Sequence, residues 1–132
     1  MAAVPKLFRV VVQVSGLDQA SAFYTKLLGI RGRSVGGGRA YFDCGPVILA
    51  LLDPGKKPKA GEDDLYFAVP DLEKVQARAR KLGCLSKIQV HGQSAADIVT
   101  RPWGERSFYV EDPFGNGLCF VDEKTLFTGR RS

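Results

Sequence analysis

An internal repeat constrains the fold of this chain more than any other feature of its sequence. The segments "VSGLDQASAFYTKLLG" at 14–29 and "VPDLEKVQARARKLG" at 69–83 each begin with a valine and pass through a short turn to a leucine and an acidic residue. Both segments close on Leu-Gly. The segments "LALLD" at 49–53 and "LCFVD" at 118–122 align in the same way, as the last strand of each half. A repeat on this scale predicts two related modules, each forming one supersecondary unit.

The chain is therefore predicted to be a single domain, residues 1–132, that contains two modules. Module one covers about residues 1–53 and module two about residues 64–122. The segment at 54–63 is polar and rich in proline, glycine and lysine, which is typical of a linker, and residues 123–132 are predicted to form a tail. A length of 132 residues is enough to bury one hydrophobic core.

Each module shows the pattern of one strand, one helix and three further strands. The first strands, "FRVVVQV" at 8–14 and "DLYFAV" at 64–69, alternate their side chains between two faces. The helices at 17–29 and 72–83 carry apolar residues at the helical period and end on glycine. The fold class is thus α+β, with two βαβββ modules whose helices cover one face of each sheet and leave the other face open. The later strands are predicted at "RGRSV", "RAYFDCG" and "VILALLD" in module one and at "KIQVHG", "RSFYVED" and "GLCFVD" in module two.

Charge and cysteine usage narrow the function classes. The formal net charge is +5, but the basic residues are scattered over loops and the tail. We therefore predict no nucleic-acid partner and expect a small anionic ligand to be favoured over a cationic one. No apolar run approaches the roughly 20 residues of a transmembrane helix, so no membrane partner is predicted. The three cysteines are widely spaced and include no CxxC pair, which indicates reduced thiols in a cytoplasmic protein.

The stretch "FYVEDPFGNGLCF" at 108–120 predicts a tight turn between the last two strands of module two. Asp112, Pro113 and Gly115 stand at the first, second and fourth positions of a type I turn, where these residue types are favoured. Hairpin chemistry explains these residues fully, and no catalytic role is assigned to them. The turn also fixes the register of the strand after it, which carries Cys119.

The two βαβββ modules, their leucine-acidic helix starts and the stretch "RPWGERSFYVEDPFGNG" together resemble the vicinal oxygen chelate superfamily. This is the family of glyoxalase I, bleomycin-resistance proteins and extradiol dioxygenases. The resemblance covers the chain from about Phe8 to Asp122 and implies a cupped mixed sheet with the helices on its outer face. In the family's enzymes, four strand positions supply histidine and glutamate ligands to a divalent metal, which acts as a Lewis acid on the substrate. The resemblance also implies a homodimer, in which each cup takes its two modules from one chain or from two.

The family's four metal-ligand positions fall on other residue types in this chain. They correspond to Arg9 and Ala50 in module one and to Asp64 and Cys119 in module two. An alanine cannot ligate a metal, and a protonated arginine repels a cation. We therefore predict no metal and no cofactor. The only histidine, His91, does not stand at a ligand position.

The open face is predicted to bind a small molecule, since it combines apolar and aromatic walls with a few polar groups. Arg9 either forms a buried ion pair with Asp64, which we favour, or holds an anionic or carbonyl group of a ligand. Trp103 either reaches the cavity or caps the core. Cys119 is interpreted as a small buried residue rather than a nucleophile, because no base is placed beside it. Catalytic residues are not assigned. The predicted ligand-binding residues are Arg9, Gln13, Ala50, Asp64, Tyr66, Trp103 and Cys119.

Three functions are open to such a protein. The first, which we favour, is a metal-free binding protein that sequesters a small anionic or aromatic molecule, as the antibiotic-resistance members of the family do. The second is an enzyme of the lyase, isomerase or dioxygenase type that is metal-independent or uses an atypical site with Asp64 and Cys119. The third is a structural or regulatory domain whose cavity has collapsed.

Overall fold

The computed structural model describes residues 3–129 and divides the chain into two compact units. Unit one ends at Ala60 and unit two begins at Gly61, so the boundary falls within the segment predicted as a linker. Each unit contains one four-stranded mixed sheet and one α-helix, which confirms the predicted α+β class and the two βαβββ modules. Within residues 3–129, neither helix has the length and apolar character needed to span a membrane.

In unit one, the first strand of the chain pairs in parallel with the last strand of the unit, and the other two strands add to it antiparallel. The order across the sheet is β1-β4-β3-β2. A parallel pair needs a crossover, and the helix that follows the first strand supplies it. The elements are β1 (Arg9–Gln13), α1 (Leu17–Leu28), β2 (Arg33–Gly36), β3 (Arg39–Cys44) and β4 (Val47–Leu52).

The core of unit one lies between α1 and one face of its sheet. Tyr24 and Leu27 are fully buried on the inner face of α1, and the Tyr24 ring lies 6.2 Å from the ring of Phe42 on β3. The helix ends at Gly29, whose φ of 71° lies in the left-handed region and whose N–H donates to the Thr25 carbonyl. Because α1 covers one face, the alternate residues of β1, beginning with Arg9, lie on the opposite face, which we call the open face.

Unit two repeats this arrangement with the order β5-β10-β9-β8 and a parallel β5–β10 pair. Its helix begins at the N-cap Asp71, whose side chain accepts a hydrogen bond from the Lys74 N–H. On the helix side of the sheet the rings of Phe67, Phe120 and Phe108 stack with centroid distances of 5.3 and 5.5 Å. The elements are β5 (Leu65–Val69), α2 (Leu72–Leu82), β6 (Gln89–Val90), β7 (Gln93–Ser94), β8 (Val99–Thr100), β9 (Arg106–Glu111) and β10 (Gly117–Asp122).

The prediction that "KIQVHG" forms a strand of the second sheet is wrong. Only β6 is extended there, and it pairs with β7 in a separate two-stranded hairpin, while β8 takes the fourth place in the sheet. The reason is local: His91 and Gly92 both have positive φ, 52° and 73°. Two consecutive residues of this kind form the tight turn of a two-residue hairpin, which reverses the chain after two strand residues.

The predicted turn at 112–115 is confirmed, and its aspartate is a buried structural centre. The Gly115 N–H donates to the Asp112 carbonyl at 3.2 Å. The Asp112 carboxylate accepts hydrogen bonds from the N–H groups of Phe114 and Asn116 and from the Asn116 side chain, each at 2.8 Å. Asn116 in turn accepts from the Gly61 N–H at 2.9 Å, so the turn also fixes the start of unit two.

We expect Asp112→Ala to lower the free energy of unfolding by about 3 kcal/mol, because three donors lose a buried charged acceptor. Urea denaturation followed by circular dichroism measures this loss. Glu111→Ala is the matched control, since Glu111 is the exposed neighbouring carboxylate, and it should change stability by less than about 0.5 kcal/mol. Equal stabilities of the two variants would contradict the structural role of Asp112.

Candidate functional site

The strand register assembles a row of side chains across the open face of unit one. Val11 on β1 lies beside Ala50 on β4, Ala50 beside Tyr41 on β3, and Tyr41 beside Arg33 on β2. Arg9 stands two residues before Val11 on the same face, and its Nη1 donates to the Tyr41 hydroxyl at 3.1 Å. The guanidinium carbon of Arg9 lies 5.6 Å from the Tyr41 ring centroid, within cation–π distance.

This face lines a cavity of about 520 Å³ that is open to solvent, since Arg9, Val35 and Arg39 in its lining are all exposed. The volume falls within the range of small-molecule sites. Its floor is Ala50, which is fully buried, and one wall is Val11, which is half exposed. Two of the predicted ligand-binding residues, Arg9 and Ala50, therefore lie together at a cavity. The residues that line the cavity are Arg9, Val11, Val35, Gly36, Gly37, Arg39, Tyr41 and Ala50.

Gln13 does not belong to the lining of this cavity, although it was predicted to bind ligand. Its side-chain carbonyl accepts a hydrogen bond from the Lys59 N–H at 2.8 Å. The residue therefore fastens a later segment of unit one to the end of β1. A direct contact between Gln13 and a ligand stays a prediction.

Cys119, on the corresponding face of unit two, lies in a closed apolar environment. The thiol is fully buried in one cluster with Ala95, Tyr109 and Val121, against which Val90 packs. Burial raises the pKa of the Cys119 thiol to about 11, against the smaller effect of hydrogen bonds from Ser107 and Tyr109. A nucleophilic cysteine needs a lowered pKa, so these surroundings favour the interpretation of Cys119 as a buried structural residue.

Tyr66 and Asp64 lie near Cys119 and are both exposed. The Tyr66 hydroxyl lies 3.4 Å from the hydroxyl of Tyr109, whose pKa is raised, mainly by burial. The Asp64 carboxylate occupies the space in which a side chain at Gly117 would lie. Its negative charge also contributes to the raised pKa of Cys119. The predicted ion pair of Asp64 with Arg9 would join the two units, and it stays a prediction.

Trp103 is held by contacts within unit two. Its indole N–H donates to the Glu105 carboxylate at 2.6 Å, and its ring packs edge-on against His91 with centroids 5.0 Å apart. Glu105 is itself buried and also accepts from the Phe127 N–H at 2.8 Å. These contacts favour the interpretation of Trp103 as a residue that caps the core. Contact of Trp103 with a ligand stays a prediction.

Sequence reasoning missed Arg101, which is only 2% exposed. Its Nε and Nη2 donate to the hydroxyl and the carbonyl of Ser107, both at 2.9 Å, and its guanidinium lies 5.2 Å from the Tyr109 ring centroid. No acidic side chain among residues 3–129 forms an ion pair with Arg101. The "RPWGE" motif draws attention to its tryptophan, and nothing in the sequence indicates that the arginine beside it is buried.

The residues at the four metal-ligand positions do not fit a divalent metal. In unit one, Arg9 presents a cationic donor group and Ala50 has no ligating atom. In unit two, Cys119 is enclosed in a buried apolar cluster, which leaves the exposed Asp64 as the one carboxylate among the four positions. Within the part of the chain that the structure describes, no three His, Cys, Asp or Glu side chains come together to hold a metal ion.

Comparisons with known proteins agree with this geometry. The sequence model of the Glyoxalase/Bleomycin resistance protein/Dioxygenase superfamily matches residues 6–120. No curated protein matches the chain.

Among solved structures, three illustrate the similarity. A glyoxalase/bleomycin resistance protein from Albidiferax ferrireducens T118 has a TM-score of 0.70 at 21% identity, covering 87% of this chain and 97% of its own. The oxidase ChaP-H1 has a TM-score of 0.74 at 20% identity, covering 90% of this chain and 96% of its own. An integron cassette protein from V. cholerae has a TM-score of 0.67 at 26% identity, covering 92% of this chain and 98% of its own. At such identities the first two show a shared fold.

The buried thiol gives a test of the unit-two face. We expect a variant that retains only Cys119 (Cys44→Ser with Cys84→Ser) to react with Ellman's reagent at pH 8 only when it unfolds, since the thiol is buried and protonated. The control retains only Cys44 (Cys84→Ser with Cys119→Ala). It should react faster in the native state, because Cys44 is partly exposed. Rapid native-state reaction of Cys119 would favour the nucleophile interpretation.

The same thiol predicts a pH dependence of stability. Its folded-state pKa of about 11 lies above the ordinary value of 9.0. The unfolded chain therefore loses the proton first as the pH rises, and the contribution of the thiol to stability declines between about pH 9 and pH 11. Cys119→Ala should lessen this decline, which urea denaturation at several pH values measures. An unchanged slope in the variant would contradict the raised pKa.

Proposed function

Because the chain belongs to the Glyoxalase/Bleomycin resistance protein/Dioxygenase superfamily, we propose that it binds a small molecule without a metal, in the cavity of unit one. The observation that carries this proposal is the position of Arg9, at the place where metal-binding relatives present a ligand. The guanidinium lies at the wall of a cavity of about 520 Å³ and is oriented by the Tyr41 hydroxyl. A fixed positive charge takes the place of a bound cation there.

The proposed role is a sequestering or resistance-type binding protein for a small anionic or aromatic molecule. The support is the composition of the cavity, in which arginine side chains stand beside the apolar Val11, Val35 and Ala50. Such a site holds a ligand by shape and charge and needs no reactive group. The volume of the cavity supports a binding site over the third possible function, a structural or regulatory domain whose cavity has collapsed.

The alternative is an enzyme of the lyase, isomerase or dioxygenase type. It would need a group that transfers protons or stabilises developing charge near the cavity. Arg9 suits the second task, so a metal-independent reaction is open to this site. The atypical site with Asp64 and Cys119 is less suited, because Cys119 is enclosed in a buried apolar cluster.

Occupation of the cavity can be tested with two probes of one shape, 2-naphthoate and 2-naphthamide. We expect isothermal titration calorimetry to detect at least one of them binding with one site per chain, before and after dialysis against EDTA. Val11→Trp should weaken this binding at least about tenfold, because the larger side chain fills the cavity from its wall.

Ile88→Trp is the matched control, since Ile88 is 64% exposed and does not line the cavity. It should bind like the wild type, and circular dichroism should show both variants folded. The proposed function would be wrong if neither probe bound, if Val11→Trp left the affinity unchanged, or if EDTA abolished binding.

We further propose that the protein acts in the cytoplasm as a homodimer. Three free cysteines, two of them buried, support a reducing compartment. Exposed apolar side chains before β1 support an association surface, since Val4, Leu7 and Phe8 are 80%, 70% and 58% exposed.

The dimer is tested by light scattering after size-exclusion chromatography. We expect a mass twice the 14.4 kDa of one chain. Leu7→Asp should shift the protein toward the monomer by placing a charge in the interface, whereas Lys6→Ala, a change at the neighbouring exposed residue, should not. A wild-type mass of one chain would contradict the dimer.

A further inference from the structure

The open face of unit one carries an excess of positive charge that its own residues do not neutralise. Three arginines lie on it, Arg9, Arg33 and Arg39, against one carboxylate, Asp43. Arg33 and Asp43 form an ion pair at 2.7 Å. Within unit one, residues 3–60, neither Arg9 nor Arg39 has a carboxylate at ion-pair distance. Both of these arginines line the cavity. Their positive charges are therefore available to a ligand bound there.

The backbone between β2 and β3 positions Arg39 at the cavity. Gly36, Gly37 and Gly38 all have positive φ, from 61° to 83°, a conformation that side-chain-bearing residues rarely adopt. The Gly37 carbonyl accepts a hydrogen bond from Arg39 Nη1 at 3.3 Å. A β-carbon at Gly37 would lie 3.1 Å from the same nitrogen. The glycine turn thus leaves room for the Arg39 guanidinium and accepts a hydrogen bond from one of its nitrogens.

The cavity also presents planar and apolar surfaces. Two guanidinium groups lie within cation–π distance of the Tyr41 ring, with the carbon of Arg9 at 5.6 Å and that of Arg33 at 5.8 Å from its centroid. Val11, Val35 and Ala50 supply apolar walls. Arginine forms paired hydrogen bonds with a carboxylate and packs its flat face against rings, so this combination suits a flat molecule with an acidic group.

We propose that the cavity of unit one selects a planar aromatic carboxylate, with Arg39 and Arg9 as the residues that discriminate in favour of the negative charge. This inference rests on the proposed function, and it adds the ligand class and the role of Arg39. The apolar walls hold the aromatic ring of a charged or a neutral ligand alike. The guanidinium groups of Arg9 and Arg39, which have no carboxylate partner in unit one, hold the carboxylate.

The comparison of 2-naphthoate with 2-naphthamide tests the charge preference, since the two differ mainly in the charge of one group. We expect the wild-type protein to bind the carboxylate at least about tenfold more tightly than the amide. Raising the NaCl concentration from about 50 to about 300 mM should weaken the binding of the carboxylate more than that of the amide.

Arg39→Ala and Arg9→Ala should each weaken 2-naphthoate binding at least about tenfold and change 2-naphthamide binding by less than about threefold. Arg31→Ala is the matched control, because Arg31 is exposed and outside the cavity and its loss changes the net charge equally. Arg39→Lys should retain an intermediate preference, since lysine keeps the charge without the planar fork. Circular dichroism and urea denaturation show whether each variant is folded.

Equal affinities of the two probes in the wild type would overturn this inference, as would an Arg39→Ala variant that binds 2-naphthoate like Arg31→Ala. In those cases, sensitivity of the binding to Val11→Trp would still support a small-molecule site in the cavity. Different results would contradict the proposed function itself. These are that neither probe binds, or that Val11→Trp does not affect the binding.

Discussion

The parallel pairing of the first and last strands of each unit is the constraint on which the rest of the structure depends. In unit one, β1 lies beside β4, and in unit two, β5 lies beside β10. A parallel pair cannot be closed by a hairpin, so the chain must cross over, and the helix that does so covers one face of the sheet. The opposite face then carries every second side chain of each strand. Every candidate site residue on a strand owes its location to this division.

The two units share one topology, but their open faces differ in how far they are covered. In unit one, the connections are short, and residues of the open face line a cavity with Ala50 as its floor. In unit two, the longer connection between α2 and β9 contributes Ala95 and Val90 to a buried cluster with Cys119. Arg101, from the same connection, packs over Tyr109. As a result, Ala50 lines a cavity in unit one, whereas Cys119, on the last strand of unit two, is enclosed in a buried cluster.

The sequence predicted what depends on local chemistry and periodicity. Both helices end at the predicted Leu-Gly, because glycine readily adopts the left-handed conformation at their ends. The prediction of a sheet strand at "KIQVHG" is wrong because His91, a non-glycine residue, has a positive φ. Hydrophobic periodicity does not reveal such a conformation. The orientation of Tyr41 and Arg39 toward the cavity depends on the pairing of β3 with β4, a contact between strands whose register the sequence leaves open. The burial of Arg101 depends on tertiary packing, so local sequence patterns could not indicate it.

The electrostatics of unit one connect the missing metal ligands with the proposed ligand class. A site that binds a divalent cation needs anionic or neutral donors, and its bound metal attracts the oxygens of a substrate. Arg9 cannot serve as a donor to a cation, since its guanidinium repels one. It can still attract the oxygens of a substrate, as a bound metal would. Arg39 adds a second charge at the same cavity, whereas the charge of Arg33 is balanced by Asp43. Arg9 and Arg39 are both exposed, so a neutral ligand would leave their charges to solvent, while a carboxylate would pair with them directly. The proposed ligand is therefore an anion rather than a metal or a neutral molecule.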